Sequence, residues 1–230
     1  MKAWMSPLAL AALAAIVATC SESSGPLPQP AQIVKVSGDL QTGTVGLQLA
    51  EELVVQVNDG RGAPYRGAVV TFTVTQGGGS VDTNIPSTDD EGQVRTRWTL
   101  GTTSGSAHEV RASLSGIGAV TFGATAAAGL PVALVSVSGD NQSGAVNQPL
   151  PEPLVVRMND QYGNLVSGRR VDFSVTGGGG AVVPMSDTTG ADGRAQTIWT
   201  LGPTAGGQTA QAIAAGLPAV PFNATAAAQR

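Results

Sequence analysis

The residues of this chain best suited to chemistry are few, and they do not form a catalytic group. His108 is the only histidine and Cys20 the only cysteine among 230 residues. A Ser-His-Asp or Cys-His site would need that histidine beside an activated nucleophile, but no Gly-x-Ser-x-Gly motif is present. Zinc sites built from histidine and cysteine need several such ligands. The sequence therefore predicts no enzyme, and we interpret His108 as a polar residue at the end of a strand.

Two glycine runs and one acidic segment are the remaining candidates for binding chemistry. The runs at 77–79 and 177–180 lack the Lys-Ser/Thr pair and the helix that complete a phosphate cradle, so we interpret them as turns between strands. Carboxylates gather at 88–92 and near Asn58-Asp59, and oxygen ligands of this kind suit calcium. Their spacing is not that of a calcium loop, however. The sequence predicts no metal and no cofactor.

An internal repeat organises the chain, which matches itself when shifted by 101 residues. The matching segments include Val36-Ser37-Gly38-Asp39 with Val137-Ser138-Gly139-Asp140, and Trp98-Thr99-Leu100-Gly101 with Trp199-Thr200-Leu201-Gly202. The shift falls to 100 after Gly105, as expected if one turn lost a residue. A repeat of this length suits an independently folding domain and is too long for a solenoid unit. We predict two copies of one domain, over 31–128 and 129–228.

Strand patterning is clear in both copies. Leu53, Val55 and Val57 point one way with Gln56 opposite, which is typical of a half-buried strand. Seven short segments per copy, separated by turns rich in Gly, Asn, Asp and Ser, predict an all-β fold of two antiparallel β-sandwiches. Pro221, which lacks an N–H, places the last strand at a sheet edge. Paired aromatic residues on inward positions are assigned to the cores: Phe72/Phe173, Trp98/Trp199 and Phe122/Phe222.

The repeat resembles the group 1 bacterial immunoglobulin-like domain of invasin- and intimin-type surface proteins. Among the segments that carry the resemblance are the valine-rich strand ending in Asn159-Asp160, then Gly163-Asn164-Leu165-Val166-Ser167-Gly168, Val171-Asp172-Phe173-Ser174-Val175, and Phe222-Asn223-Ala224-Thr225-Ala226. The first copy follows this family pattern less regularly than the second. The resemblance implies two tandem Ig-like domains that serve as stalk or presenting modules on a cell surface, and some such domains are adhesive.

The first thirty residues read as an export and anchoring segment. Lys2 precedes an apolar run from Pro7 to Ala18, too short to span a membrane as a helix, so we assign 1–19 to a signal peptide. Residues Val17-Ala18-Thr19-Cys20 resemble the lipobox of bacterial lipoproteins, with Thr19 where Gly or Ala is usual. We therefore predict lipidation of Cys20 and a proline-rich flexible tether over 20–30. The alternative is ordinary cleavage near Ala18.

Charge narrows the range of partners. The net charge of -4 has no basic block, so nucleic acid is not an expected partner. The lipid would bind a membrane, and the surface loops could hold a protein or glycan ligand. Tyr65, Tyr162 and Asn164 are the candidate contact residues, because both tyrosines follow the Asn-Asp turns and lack a counterpart in the other copy. The alternative is a tyrosine that packs over its own hairpin.

Two functional hypotheses follow. The first is a non-enzymatic cell-envelope lipoprotein, in the outer membrane or at the cell surface, whose Ig-like domains act as a spacer or as a binding and adhesion module. The second is an accessory protein-protein interaction subunit of a secreted polysaccharide-active enzyme or envelope assembly. In that case an exposed strand edge would pair with the partner.

Overall fold

The fold is all-β, which confirms the predicted fold class. The computed structural model describes residues 1, 27–82, 87–105 and 107–228, and these residues form strands and turns without a helix. Accordingly, no helix in this part of the chain is long and apolar enough to cross a membrane. Cys20 and, apart from Met1, the predicted signal peptide lie outside the described residues.

The first domain is a sandwich of two sheets. One sheet has the order β1-β3-β6 and is continued by the pair β5-β7, and the other has the order β2-β9-β8-β4. The strands are β1 (Pro30–Ser37), β2 (Gln41–Thr44), β3 (Leu53–Asp59), β4 (Val70–Gln76), β5 (Gly79–Val81), β6 (Gln93–Thr96), β7 (Trp98–Leu100), β8 (Ala107–Leu114) and β9 (Gly118–Ala127).

The second domain repeats this arrangement with sheets β10-β12-β16-β14 and β11-β18-β17-β13-β15. Its strands are β10 (Pro131–Ser138), β11 (Gln142–Ala145), β12 (Leu154–Asp160), β13 (Arg170–Gly177), β14 (Gly180–Val183), β15 (Ser186–Thr188), β16 (Arg194–Leu201), β17 (Gly206–Ile213) and β18 (Val220–Ala227). Each domain thus has more strands than the seven predicted. The additional ones are three or four residues long, too short for alternation to reveal.

Each domain encloses its own hydrophobic cluster, and the two clusters share no residue. Leu53, Val55 and Val57 are fully buried, as their alternation predicts. Trp98 and Trp199 are also fully buried, so the paired aromatic residues belong to the cores. Two separate cores provide each domain with its own source of stability.

The prediction that the last strand lies at a sheet edge is wrong. β18 lies between β17 and the short parallel strand β11, which pairs with Ala224–Ala227. Pro221 lies outside that pairing and faces Gln211 of β17 on one side only. A missing N–H is therefore tolerated at this position, and the four-residue strand β11 gave no pattern from which the second neighbour could be predicted.

Candidate functional site

The loop that follows β12 carries two of the predicted contact residues, Tyr162 and Asn164, and faces the first domain. The chain turns at Gly163, whose φ is 85°, and the Gly163 N–H donates to the Asp160 carbonyl at 3.0 Å. A positive φ of this kind favours glycine. The turn brings both side chains to the boundary between the domains, which we call the junction.

Asp160 organises this loop from a buried position, 3% exposed. Its Oδ1 accepts hydrogen bonds from the backbone N–H groups of Tyr162 and Asn164 at 2.8 and 2.9 Å. Its Oδ2 accepts from the Gly129 N–H at 2.8 Å and from the Asn164 amide at 2.9 Å. Burial alone would raise the pKa of Asp160, but these four hydrogen bonds outweigh it and hold the pKa below its usual value. The ionised carboxylate thus ties the loop to the linker.

Asn164 bridges the two domains through both atoms of its side-chain amide. Its Nδ2 donates to the Thr102 carbonyl at 2.9 Å, and its Oδ1 accepts from the Ser104 N–H at 2.9 Å. One donor and one acceptor on the first domain thus match one amide of the second. Because Nδ2 also donates to Asp160, the orientation of the amide is fixed before it meets the first domain.

Tyr162 packs its hydroxyl end against Gly46 of the first domain. A Cβ atom at position 46 would lie 2.6 Å from the Tyr162 hydroxyl oxygen, closer than van der Waals contact allows. The backbone at Gly46 has a φ of 71°. Any side chain at position 46 would require the Tyr162 ring, which is 45% exposed at the rim of the junction, to move aside.

The surface that receives Asn164 is a loop between β7 and β8, and His108 lies beneath it. The imidazole of His108 is fully buried, and its Nε2 lies 3.1 Å from the Thr103 carbonyl oxygen. Its Nδ1 has no hydrogen-bond partner. His108 is thus at the end of β8, as predicted, with a structural contact to the loop that carries Thr102 and Ser104.

The equivalent loop of the first domain has the same turn but lacks the bridging groups. Asp59 Oδ1 accepts from the N–H groups of Arg61 and Ala63 at 2.8 and 2.9 Å, as Asp160 does from their counterparts. Arg61 and Ala63 stand where the second domain has Tyr162 and Asn164. Pro28, which has no N–H, occupies the position of Gly129. This end of the first domain cannot form the same junction.

The third predicted contact residue, Tyr65, lies away from the junction. It is half-buried and packs against the core of the first domain. Its backbone is fixed by hydrogen bonds of Tyr65 N–H to the Val57 carbonyl at 2.9 Å and of the Thr88 hydroxyl to the Tyr65 carbonyl at 2.6 Å. The suggestion that Tyr65, Tyr162 and Asn164 contact a ligand stays a prediction.

The acidic segment at 88–92 is a turn of the same kind as those after β3 and β12. Asp89 Oδ1 accepts from the N–H groups of Glu91 and Gln93 at 3.1 and 2.8 Å. Asp90 forms an ion pair with Arg66. No group of three metal-binding side chains occurs within the described ranges. The carboxylates of this segment shape the turn by accepting local hydrogen bonds.

Several solved structures of bacterial proteins are similar to this chain. Yersinia pseudotuberculosis InvD matches with a TM-score of 0.53 and 18% identity, over 86% of this chain and 57% of InvD. FdeC, an Escherichia coli adhesin, matches at 0.48 and 21%, over 84% of this chain and 63% of FdeC. The Yersinia pseudotuberculosis adhesin InvE matches at 0.39 and 16%, over 84% of this chain and 58% of InvE.

These likenesses concern the fold. The chain spans less than two thirds of the length of each of these three structures. No protein-family model and no curated protein sequence matches it. The match to InvD supports the assignment of both domains as Ig-like sandwiches.

Proposed function

We propose that this chain is a non-enzymatic protein of the bacterial cell envelope whose two Ig-like domains act as a surface spacer or a binding and adhesion module. A lipid on Cys20 would hold it to the membrane through the tether that precedes β1. The observation that carries the proposal is the junction, because a protein that presents a surface at a distance from the membrane needs a defined angle between its domains. The resemblance of the sequence to invasin- and intimin-type domains supports a location at the cell surface.

The contacts at the junction are suited to limiting bending. Asn164 makes two hydrogen bonds to the first domain, Asp160 binds the linker at Gly129, and Tyr162 abuts Gly46. Each hydrogen bond contributes about 0.5–1.5 kcal/mol net, and rotation about the linker would break several at once. Several contacts that must break together make the pair of domains stiffer than the linker alone would.

The environment of the only histidine supports a non-enzymatic role. His108 is fully buried, and one ring nitrogen is occupied by the Thr103 carbonyl. To act as a general base, the imidazole would have to leave this position and reach a substrate from inside the sandwich. Its contacts instead support the loop that receives Asn164.

Metabolic labelling with a fatty-acid probe tests the anchoring part of this proposal. We expect the native chain to incorporate the probe and to fractionate with membranes, whereas Cys20→Ser does neither, because the thiol is the site of acylation. Several acyl chains at ~0.8 kcal/mol per buried methylene would hold the protein firmly. A native chain that stays unlabelled and soluble in the periplasm would contradict lipid anchoring, and turnover of a glycan or peptide substrate would contradict the non-enzymatic role.

A further inference from the structure

A polar pocket lies on the outer face of the second domain, over the neighbouring strands β17 and β18. Its volume is about 360 Å³, at the small end of the ~300–1,000 Å³ typical of small-molecule sites. The exposed side chains that line it come from these two strands and from the turn before β11: Thr209, Asn223, Thr225 and Asn141. Gly207, the strand partner of Thr225, leaves the floor open, because a Cβ atom there would meet no other atom within 4 Å. The pocket is thus built from amides and hydroxyls.

Asp140, which does not itself line the pocket, orients both asparagines. Its Oδ1 accepts hydrogen bonds from the backbone N–H groups of Asn141 and Asn223 at 2.9 and 2.7 Å. The Asn141 Nδ2 donates to Asp140 Oδ2 at 3.0 Å, and the Asn223 Nδ2 lies 3.5 Å from Asp140 Oδ1. A carboxylate can only accept hydrogen bonds, so both amides turn their nitrogens towards it. Their Oδ1 atoms are left for other donors.

The pocket therefore offers fixed acceptors together with rotatable hydroxyls. In the part of the chain that the structure describes, the Oδ1 atoms of Asn141 and Asn223 and the hydroxyl of Thr225 have no protein partner. The Thr209 hydroxyl accepts from the Thr176 hydroxyl at 2.8 Å, so its own proton remains available. None of the described lining residues is charged. A ligand that fits this set is uncharged and rich in groups that both donate and accept hydrogen bonds.

The first domain shows that the fold does not require this pocket. Leu40 stands at the position of Asn141, and Gly123 at that of Asn223. A Cβ atom on Gly123 would lie 3.6 Å from Leu40 Cδ2, so the leucine lies over the place that the second amide would occupy. The same framework therefore presents a leucine in the first domain and two amides in the second.

The charge beside the pocket also differs between the domains. Asp39, the counterpart of Asp140, forms an ion pair with Lys35. Ser136 replaces this lysine in the second domain, and within the described residues Asp140 forms no ion pair. An anionic ligand would therefore be repelled by an uncompensated carboxylate close to the two amides, whereas a neutral ligand would not.

We propose that this pocket binds one neutral sugar unit of a glycan. The sugar hydroxyls would donate to the amide oxygens of Asn141 and Asn223 and accept from Thr209. A peptide is a poorer occupant, because peptides anchor through apolar side chains or a free strand edge, and Ala224, the one apolar side chain of the described lining, is buried. The inference rests on the binding role in the proposed function and names the class of ligand.

The test is a titration of the purified, 15N-labelled protein with the methyl glycosides of glucose, galactose and mannose, followed by amide chemical shifts. We expect at least one of them to shift the amides of Gly207, Thr209 and Asn223 at millimolar concentration. The amides of Ala107 and Glu109, at the equivalent positions of the first domain, should not move. Glucuronic acid, an anionic sugar, should bind at least several-fold more weakly.

Two substitutions copy the first domain into the pocket. Asn141→Leu and Asn223→Gly each remove one amide and introduce a residue that the same framework already carries, so folding should be retained. We expect either to weaken sugar binding roughly three- to tenfold, as the loss of one hydrogen bond predicts, and the double variant to show no shifts. The matched control is Asn147→Gly, an asparagine of the same domain outside the pocket, which should bind as the native protein does. Unchanged binding by both folded single variants would overturn the proposal.

A covalently attached glycan is the competing explanation, because Asn141 and Asn223 each begin an Asn-x-Ser/Thr sequence. Mass spectrometry of the protein purified from its native host should show both asparagines unmodified. A glycan on either residue would assign the pocket to modification and overturn the proposal.

The remaining outcomes are equally decisive. Absence of shifts with all three glycosides, equal shifts in both domains, or equal binding of glucuronic acid would each overturn it. Equal shifts from blocked, uncharged triglycine would assign the pocket to peptides and also overturn it. None of these results depends on lipid labelling of Cys20, so failure here and failure of the proposed anchoring can be told apart.

Discussion

The loops after β3 and β12 have the same backbone turn but different relations to their surroundings. Asp59 and Asp160 each accept two backbone hydrogen bonds from residues two and four positions later. Only the second loop continues into contacts with another domain, through Tyr162 and Asn164. The comparison shows that the turn is set by the aspartate and the glycine, whereas the junction depends on two side chains that the turn merely positions.

The outer faces of the two domains show the same division. Leu49 and Leu150 occupy equivalent buried positions, while the exposed residues Arg97 and Ile198 differ completely in character. Positions that face the core are repeated, and positions that face water are free to diverge. Functional differences between the domains are therefore expected on their outer faces and ends.

The largest effect should come from the shared cores. Trp98→Ala and Trp199→Ala each remove a fully buried side chain and should cost about 3–5 kcal/mol, because a cavity is left in a closed sandwich. Since the two hydrophobic clusters share no residue, each change should unfold or destabilise its own domain. Calorimetry would show one transition lowered and the other retained. Equal loss of both transitions from one substitution would mean that the domains do not fold separately.

The next effect concerns the junction. Gly46→Asn places a Cβ atom 2.6 Å from the Tyr162 hydroxyl oxygen, so we expect the Tyr162 ring to be pushed aside and the junction to loosen. Asparagine tolerates the backbone at this position, since Asn147 adopts a φ of 61° in the second domain. The stability of the first domain should therefore change by less than about 1 kcal/mol. In 15N relaxation measurements, the native domains should share one tumbling time and the variant should give two shorter ones.

The matched control is Asn147→Gly, the same exchange in the opposite direction at the other domain. It lies away from the junction and should leave the common tumbling time unchanged. A Gly46→Asn protein that still tumbles as one body would mean that the hydrogen bonds of Asn164 hold the junction without the Tyr162 contact.

The smallest effect is a dependence of the junction on acid. Because the pKa of Asp160 lies below its usual value of 3.8, the ionised carboxylate stabilises the folded state. This stabilisation is fully present above pH 3.8. It is lost as the pH falls further and the carboxylate is protonated. We expect a loss of about 1 kcal/mol. Separate tumbling should appear in the native protein only as the pH falls below 3.8, whereas Asp160→Asn should give a tumbling time that does not change in this range.

Much of the fold could be predicted from sequence because it depends on periodic burial. Leu53, Val55 and Val57 alternate with polar residues and are fully buried, and the repeat assigns the same positions to the second domain. The short strands β2 and β11 could not be predicted, since four residues of mixed polarity have no period. For this reason the sequence did not predict β11 as the second neighbour of β18, the strand that contains Pro221.

The candidate sites were only partly accessible from sequence. Tyr162 and Asn164 stand out because the first copy has Arg61 and Ala63 at these positions, but the sequence does not say what they contact. The role of Asp160 could not be predicted because the equivalent residue of the first domain, Asp59, is also an aspartate. The two residues differ only in their surroundings. The exchange of Arg97 for Ile198 marks a difference between the outer faces of the domains, and a comparison of unmatched positions between the copies reveals it.

The contact between Gly46 and Tyr162 makes the order of the domains matter. Asn147 stands where the second domain would need a glycine to receive such a tyrosine, and Arg61 and Ala63 stand where the first would need the tyrosine and asparagine. If the two halves were exchanged in a recombinant chain, neither the tyrosine contact nor the asparagine hydrogen bonds could form between them. In the rearranged protein each domain would remain folded, but neither would hold a fixed orientation relative to the other.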